Sequence, residues 1–243
     1  AKATLMGRDI TFDQQGKYNL RIRKTLEAIY KHYDGDRTSD DFKALEVYLK
    51  RVWFSSGIYH HYGCEKFKPG FSEHFFYEAV SLMPETELPL RRGETKEDLL
   101  DELVPVIFDE EVLPKRVNQT DGVDLVATSA CNFYEDVTQD EVERFYARLK
   151  DGEDLTPPSY GLNSKLMKRN GEIVEKTWKE EGMYGSAIKE IISWLLKAQK
   201  YTENEQQAHV IDLLIKYYRT GDLSDFDRYS IAWVKQQEGM VDF

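Results

Sequence analysis

Cysteine is almost missing from this chain: Cys64 and Cys131 are the only two in 243 residues. They fit no C-x-x-C pattern and are too few for a disulfide framework, which favours a reducing compartment and makes a cytoplasmic location the expectation. Long apolar runs are absent as well. None approaches the ~20 residues that a membrane-spanning helix needs, and the opening AKATLMGRDI has no signal-like apolar core. Positive charge is in short supply, with 33 Lys and Arg against 44 Asp and Glu and a net charge of -11. Nucleic acid and anionic membrane surfaces select basic partners, so neither is expected to bind. The acidity is spread along the chain without a block of like charges. The chain opens on Ala1 rather than methionine, which fits a processed product, an engineered chain or a proteolytic piece.

What remains is an ordinary composition with generous aromatics, 41% hydrophobic, 32% charged and 13% aromatic, on a length that suits one large domain or two small ones. Four places carry a hydroxyl followed three residues later by a carboxylate: Thr38 with Asp41, Thr95 with Asp98, Thr138 with Glu141, and Thr202 with Glu205. The side-chain oxygen accepts from an orphan backbone N–H and the carboxylate favours the positive helix end, so each predicts a helix start. Helical apolar spacing follows, as in Phe42, Leu45, Leu49 and Val52. The strongest periodic segment, MYGSAIKEIISWLLKAQKY, places Tyr184, Ala187, Ile188, Ile191, Leu195 and Ala198 on one stripe. Ala208, Ile211, Leu214, Ile215 and Tyr218 mark a second helix, RTGD stops it, and SDFDRYSIAWVKQQ reads as a third. Short connections between them predict antiparallel neighbours in a bundle.

One segment breaks this rhythm. In SYGLNSKLMKRNGEIVEKTW, Leu162, Ser164, Leu166 and Lys168 alternate, Asn170-Gly171 turns, and Ile173, Glu175 and Thr177 continue the alternation. Asn-Gly is the preferred type I′ pair, so a β-hairpin is predicted. Val123–Phe133, VDLVATSACNF, reads as a further strand and loop, and Thr156-Pro157-Pro158 marks a boundary. The expected fold is mainly α with a small β component, an α+β arrangement of helical bundle plus hairpin. Its expected division is a helical part at 1–121, a mixed segment at 122–182 and a helical bundle segment at 183–243.

The densest cluster of chemically interesting residues is WFSSGIYHHYGCEKFKPGF, from Trp53 to Phe71. Of the histidines, His32, His60, His61, His74 and His209, no two have the H-E-x-x-H spacing that places imidazoles on one helix face. Adjacent histidines in an extended segment point to opposite sides, so no metal is assigned to His60 and His61. Cys64 lies near Lys66, but a nucleophilic cysteine also needs a base and an oxyanion donor. Ser55-Ser56-Gly57 lacks the context of a nucleophile elbow. Glu110-Glu111 and Glu180-Glu181 read as solvated faces. No catalytic residue is assigned, and no cofactor.

The same stretch resembles a family. VWFSSGIYHHYGCEKFKPGF is similar to the N-terminal portion of dipeptidyl peptidase III, a zinc-dependent exopeptidase. Ser56-Gly57 supplies the family's small-residue step, and Tyr62-Gly63-Cys64-Glu65-Lys66-Phe67-Lys68-Pro69 its aromatic-Gly-polar-x-Lys-Phe-x-Pro run. Cys64 stands where a polar residue is common. VATSACNFYEDVTQDEVERFYARL, the hairpin with LMK, and the helical run ending SIAWVKQQEGMVDF follow in the family's order. The resemblance implies a two-lobed peptidase in which this region belongs mostly to the lobe facing the zinc, with peptide added as a strand to that lobe's small β-core. The family's H-E-x-x-G-H and E-E-x-x-A-[ED] motifs do not occur here, nor does its Glu-Ser-Tyr element, which is expected just beyond Phe243. The resemblance thus implies an N-terminal fragment, inactive alone, with zinc held by the parent enzyme and none in this chain. Short peptides and the remainder of the parent polypeptide are the implied partners. Tyr62 is the first candidate for substrate contact, followed by Gly63, Lys66 and Phe67.

Two other readings stay open. A self-contained helical domain whose aromatic loop binds a protein or peptide predicts partner capture sensitive to Tyr62→Ala. An unrelated metalloenzyme using His60, His61 and His74 predicts stoichiometric metal.

Overall fold

The computed structural model describes residues 2–150 and 152–240. The chain is mainly helical with one small sheet, and it divides into two compact units, one formed by residues 11–132 and the other by residues 1–10 with 133–243. Helix α1 (Lys2–Gln15) runs through the first of these divisions.

The 11–132 unit is built on α2 (Asn19–His32), α3 (Asp40–Ser55), α4 (Glu73–Leu82) and α5 (Lys96–Phe108), with a short α6 (Leu125–Thr128). Its core is aliphatic and aromatic: Phe12, Ile22, Leu26, Leu45, Leu49, Phe76, Leu99 and Leu103 are all essentially buried. The sequence periods aim these residues inward, since i, i+3 and i+4 positions share a helix face. Helix starts are chemically explicit. Thr95 and Asp98 form a reciprocal capping box at α5. The first predicted cap is displaced by one residue. Ser39, not Thr38, accepts from Phe42 N–H, because Thr38 is occupied by Asp36, which accepts from both its N–H (2.8 Å) and its hydroxyl (2.6 Å). Asp41 then serves a different helix, accepting from Ser72 N–H at 2.6 Å while the Ser72 hydroxyl caps α4. The strand expected within Val123–Phe133 is instead the single turn α6, since Asp124 accepts from the N–H groups of Val126 and Ala127 and starts a helix there.

The other unit contains the sheet. Strands β1 (Tyr134–Glu135), β2 (Ser164–Arg169) and β3 (Glu172–Thr177) lie in the order β1-β2-β3, with β1 parallel and β3 antiparallel to β2. The turn at Asn170 (φ 51°) and Gly171 (φ 83°) is left-handed at both residues, which asparagine and glycine tolerate and which matches strand twist. Glu135 clamps β1 to β2, accepting from Lys165 and Arg169, both at 2.5 Å. Helix α7 (Gln139–Ala147) begins at the predicted Thr138–Glu141 capping box, and Glu141 also accepts from Lys168 of β2 at 2.6 Å. One carboxylate therefore starts the helix and fastens it to the sheet.

Helices α8 (Gly185–Gln199), α9 (Glu205–Thr220) and α10 (Leu223–Lys235) follow. Ile188 and Ile192 of α8 and Ile211 and Ile215 of α9 form a buried seam, with Ile10 of α1 packed against it. The cap of α9 is Asn204 rather than Thr202, whose hydroxyl donates to Gln199 O at the end of α8. Gly221 ends α9 in the left-handed conformation, as RTGD predicts. Among the described residues no helix is long and apolar enough to cross a membrane.

Asp225 locks α10 to α9. It is only 2% exposed and accepts from Lys216 (2.8 Å), the Thr220 hydroxyl (3.0 Å) and Arg228 (2.7 Å). The Lys216 hydrogen bond is the chief reason its carboxyl sits below the usual range. A carboxyl depressed in the folded state contributes stability that is complete above its unfolded value, about 4, and is lost as pH falls through the folded one. Acid titration followed by circular dichroism should therefore show helix loss beginning below about pH 4. Asp225→Asn should flatten that acid limb and lower stability at pH 7 by about 2 kcal/mol.

Candidate functional site

The segment Trp53–Phe71 folds as a buttressed turn. Helix α3 stops at Ser56 in the left-handed conformation, and Gly57 N–H returns to Val52 O at 3.0 Å. Gly57 has φ 155°, and a Cβ there would come within 2.0 Å of the Asn19 side-chain amide. Only glycine lets Asn19 approach, and Asn19 Oδ1 then accepts from Ile58 N–H at 3.2 Å. Ile58 and Tyr59 are buried, fixing the entry of the loop into the core.

The chain then doubles back. Tyr59 bridges Lys66 in antiparallel fashion, His60 N–H donates to Glu65 O (2.8 Å), and Phe67 N–H donates to Ile58 O (2.8 Å). Cys64 takes the left-handed conformation (φ 65°), and its N–H closes the turn on His60 O at 3.0 Å. Further extended segments continue the ladder. Lys66 N–H donates to Pro114 O and Arg116 N–H to Cys64 O; Ala130 and Cys131 N–H donate to Lys115 and Arg116 O. The last rung joins the ends of the unit, with Lys17 N–H donating to Ala130 O and Asn132 N–H to Gln14 O.

Lys66 makes the strongest single anchor. Its ammonium donates to Val106 O (2.9 Å), Asp109 O (2.5 Å) and Val112 O (2.6 Å), at and just beyond the C-terminal end of α5. A cation satisfying terminal carbonyls is favoured by both hydrogen bonding and the helix dipole. Burial draws the Lys66 amine below its ordinary value, while the charges of Asp109 and Glu110 oppose the shift. Arg116 supports the turn from the other side, donating to His61 O at 3.2 Å and to Gln15 Oε1, and lying 3.5 Å from Cys64 Sγ.

These anchors leave an aromatic tip exposed. The rings of His60 and His61 stack at 4.8 Å, Tyr62 lies 4.3 Å from His61, and Phe54 meets His61 edge-on at 5.1 Å. Tyr62 is 85% exposed and Phe54 78%. Gly63 is exposed at the same tip, whereas Phe67 is half-buried, packs against the core and meets His60 edge-on at 6.2 Å. The structure thus gathers the four sequence candidates on one turn but in different settings: Tyr62 and Gly63 face solvent, Phe67 is an anchor, and the Lys66 ammonium is engaged by three carbonyls. Sequence reasoning missed Asn19, Arg116 and the α5 terminus, whose roles arise across tens of residues and leave no local pattern.

The turn does not fit zinc. His60 Nδ1 accepts from the N–H groups of Tyr62 (3.3 Å) and Gly63 (3.1 Å), and His61 Nδ1 meets the Ser55 hydroxyl at 3.4 Å. Among the described residues no three His, Cys, Asp or Glu side chains converge as a metal site. The arrangement offers aromatic contact on a rigid backbone.

Replacing Lys66 by methionine keeps the aliphatic stem and strips three carbonyls of their donor. The expected cost is about 2 kcal/mol, the scale of a hydrogen bond to a charged group. Urea denaturation measures that loss, and amide exchange should report faster opening at residues 59–67. An unchanged midpoint and unchanged exchange would show that the cap is idle.

The sequence model of peptidase family M49 matches residues 159–243, the region of β2, β3, α8, α9 and α10. Among solved structures, dipeptidyl peptidase III (DPP III) from Caldithrix abyssi is similar to 98% of this chain, with a TM-score of 0.55 and 16% sequence identity. The matched region is 32% of that protein, so this chain spans about a third of its length. At that identity the likeness is one of fold. The resemblance read from the sequence is borne out as a match of residues 159–243 to the M49 family model and a likeness of fold to DPP III.

Proposed function

We propose that this chain is a substrate-cleft lobe of a zinc-dependent exopeptidase that releases dipeptides from the N-termini of short peptides. The single observation that carries the reading is the combination of the M49 match at 159–243 with a fold likeness to DPP III over 98% of this chain and only 32% of that one. The zinc site and the water-activating carboxylate lie on sequence absent from this chain, in this reading, and the chain alone is inactive. Its own residues bind and orient. Among the described residues strand β3 pairs in the sheet with β2 alone, and its outer edge would offer main-chain groups to an extended peptide. In the 11–132 unit, taken by itself, Tyr62 and Gly63 would supply an aromatic face and a close backbone approach. The remainder of the parent polypeptide supplies the opposing wall.

The exposed tip of Phe54, His61 and Tyr62 favours a second reading, a helical domain that binds a protein or peptide without catalysis. The discriminating experiment measures zinc content and dipeptidyl-arylamide hydrolysis, first on this chain and then after mixing with the polypeptide that carries H-E-x-x-G-H. The cleft-lobe reading expects no zinc and no turnover alone, both appearing on mixing, and a tenfold or greater loss of kcat/KM in the mixture with Tyr62→Ala. Tight peptide capture by the isolated chain, with no activity on mixing, favours the binding domain. Stoichiometric zinc with turnover in the isolated chain would overturn both.

A further inference from the structure

Strand β3 lies at the edge of its sheet, and the bonding pattern fixes which of its groups are open. Leu166 N–H donates to Phe133 O at 3.0 Å, so the main chain of Leu166 is turned toward β1 and away from β3. Leu166 stands opposite Glu175, which makes theirs the kind of antiparallel pair that exchanges no backbone hydrogen bonds. The N–H and C=O of Glu175 therefore point outward, as do those of Ile173 two residues earlier. Among the described residues no hydrogen bond engages either set. Thr177 closes the open stretch, because its C=O accepts from Met183 N–H at 3.0 Å. The open edge thus runs from the Asn170-Gly171 turn only as far as Glu175.

The side chains along this edge carry a pattern. Glu172, Val174 and Lys176 share one face of the strand and are all exposed. Arg169 and Lys165, which stand opposite Glu172 and Lys176 on β2, are both engaged by Glu135. Among the described residues Glu172 and Lys176 have no ion-pair partner of their own. A lysine on an edge strand ordinarily guards it against pairing. Turned antiparallel about Val174, however, this pattern is its own complement. Glu172 faces Lys176 of a second copy, Val174 faces Val174, and Lys176 faces Glu172. The same register sets Ile173 opposite Glu175, the two residues whose main-chain groups point outward, so both such pairs can exchange both bonds. A shift by two residues sets Val174 against a charge instead. On the other face the Glu175 carboxylate is turned in to the hydroxyls of Ser164 (2.6 Å) and Tyr146 (3.2 Å), and brings no unpaired charge to the seam.

We propose that two copies of this chain associate through the outer edge of β3, pairing antiparallel about Val174 and joining two three-stranded sheets into one. The contact is isologous, so through this edge it closes at two copies. Glu172 and Lys176 set the register, and the main chain of Ile173 and Glu175 supplies the bonds. Pairing along so short a stretch is transient, dependent on concentration and weakened by salt. The inference does not rest on the peptidase reading. It uses the edge which that reading gives to a peptide, so a dimer and a strand-added peptide exclude each other.

The test uses the whole chain in sedimentation equilibrium from about 10 μM to about 1 mM, the range of a transient contact. The expected result is a monomer–dimer equilibrium. Amide exchange should slow at Ile173 and Glu175 as concentration rises, and stay unchanged at Val174, whose main chain already bonds to β2. Glu172→Lys and Lys176→Glu each set like charges opposite one another, and each should weaken the dimer about tenfold. Mixing these two variants restores opposite charges at both positions and should recover pairing to within about threefold of the unmodified chain. A variant that had merely lost its fold would show no such recovery. A monomer throughout the range, species larger than a dimer, protection centred elsewhere, or a mixture that pairs no better than its components each overturns the proposal. Failure of hydrolysis on mixing with the zinc-bearing polypeptide, with the dimer intact, instead overturns the peptidase reading alone.

Discussion

One ammonium group organises the 11–132 unit around the aromatic turn. The Lys66 side chain reaches across to three carbonyls at the end of α5, while its backbone bridges Tyr59 on one side and Pro114 on the other. Helix ends leave carbonyls without partners, and burying them unpaired is costly. A lysine that satisfies them simultaneously fixes the position of the loop that carries it. The exposed rings of Tyr62 and His61, the Phe67 anchor and the path of residues 109–114 all follow from that arrangement.

The two units solve the problem of fastening helices in the same chemical way. In one, Asp41 accepts from the residue that caps α4; in the other, Glu141 completes the α7 cap while holding Lys168, and Asp225 joins α9 to α10. Carboxylates placed at helix starts do local work through the dipole and long-range work through a second donor. Within a net charge of -11, Glu141 and Asp225 are carboxylates engaged in ion pairs.

Much of the fold was legible in the sequence, and the exceptions have causes. The capping boxes at Thr95 and Thr138, the Asn170-Gly171 turn, and the seam of Ile188, Ile192, Ile211 and Ile215 form where periodicity and local chemistry put them. Thr38 and Thr202 have the right spacing but lose their caps to neighbours, because Asp36 and Gln199 O engage their hydroxyls. Local motif reading sees the donor and not its competitor. Val123–Phe133 has strand-like composition, yet Asp124 starts a helix there. For the site, the glycine and aromatic content of the turn was visible, while the fate of Lys66 was not. Its acceptors lie 40 to 46 residues away, beyond any local pattern.

The rung between Gln14 and Asn132, beside that between Lys17 and Ala130, has a consequence for how the chain is assembled. The 11–132 unit interrupts the other in sequence, separating residues 1–10 from 133–243. Its two ends are hydrogen-bonded neighbours, so the interruption enters and leaves at nearly one point. Bringing such distant residues together costs loop-closure entropy of roughly 4 kcal/mol, which sequence-adjacent helix pairs avoid. The hairpin and the α8–α9–α10 run, made from near neighbours, are placed to form early, and the ladder that seals Gln14 to Asn132 to form late. Until that seal closes, the aromatic turn lacks its outermost backbone support.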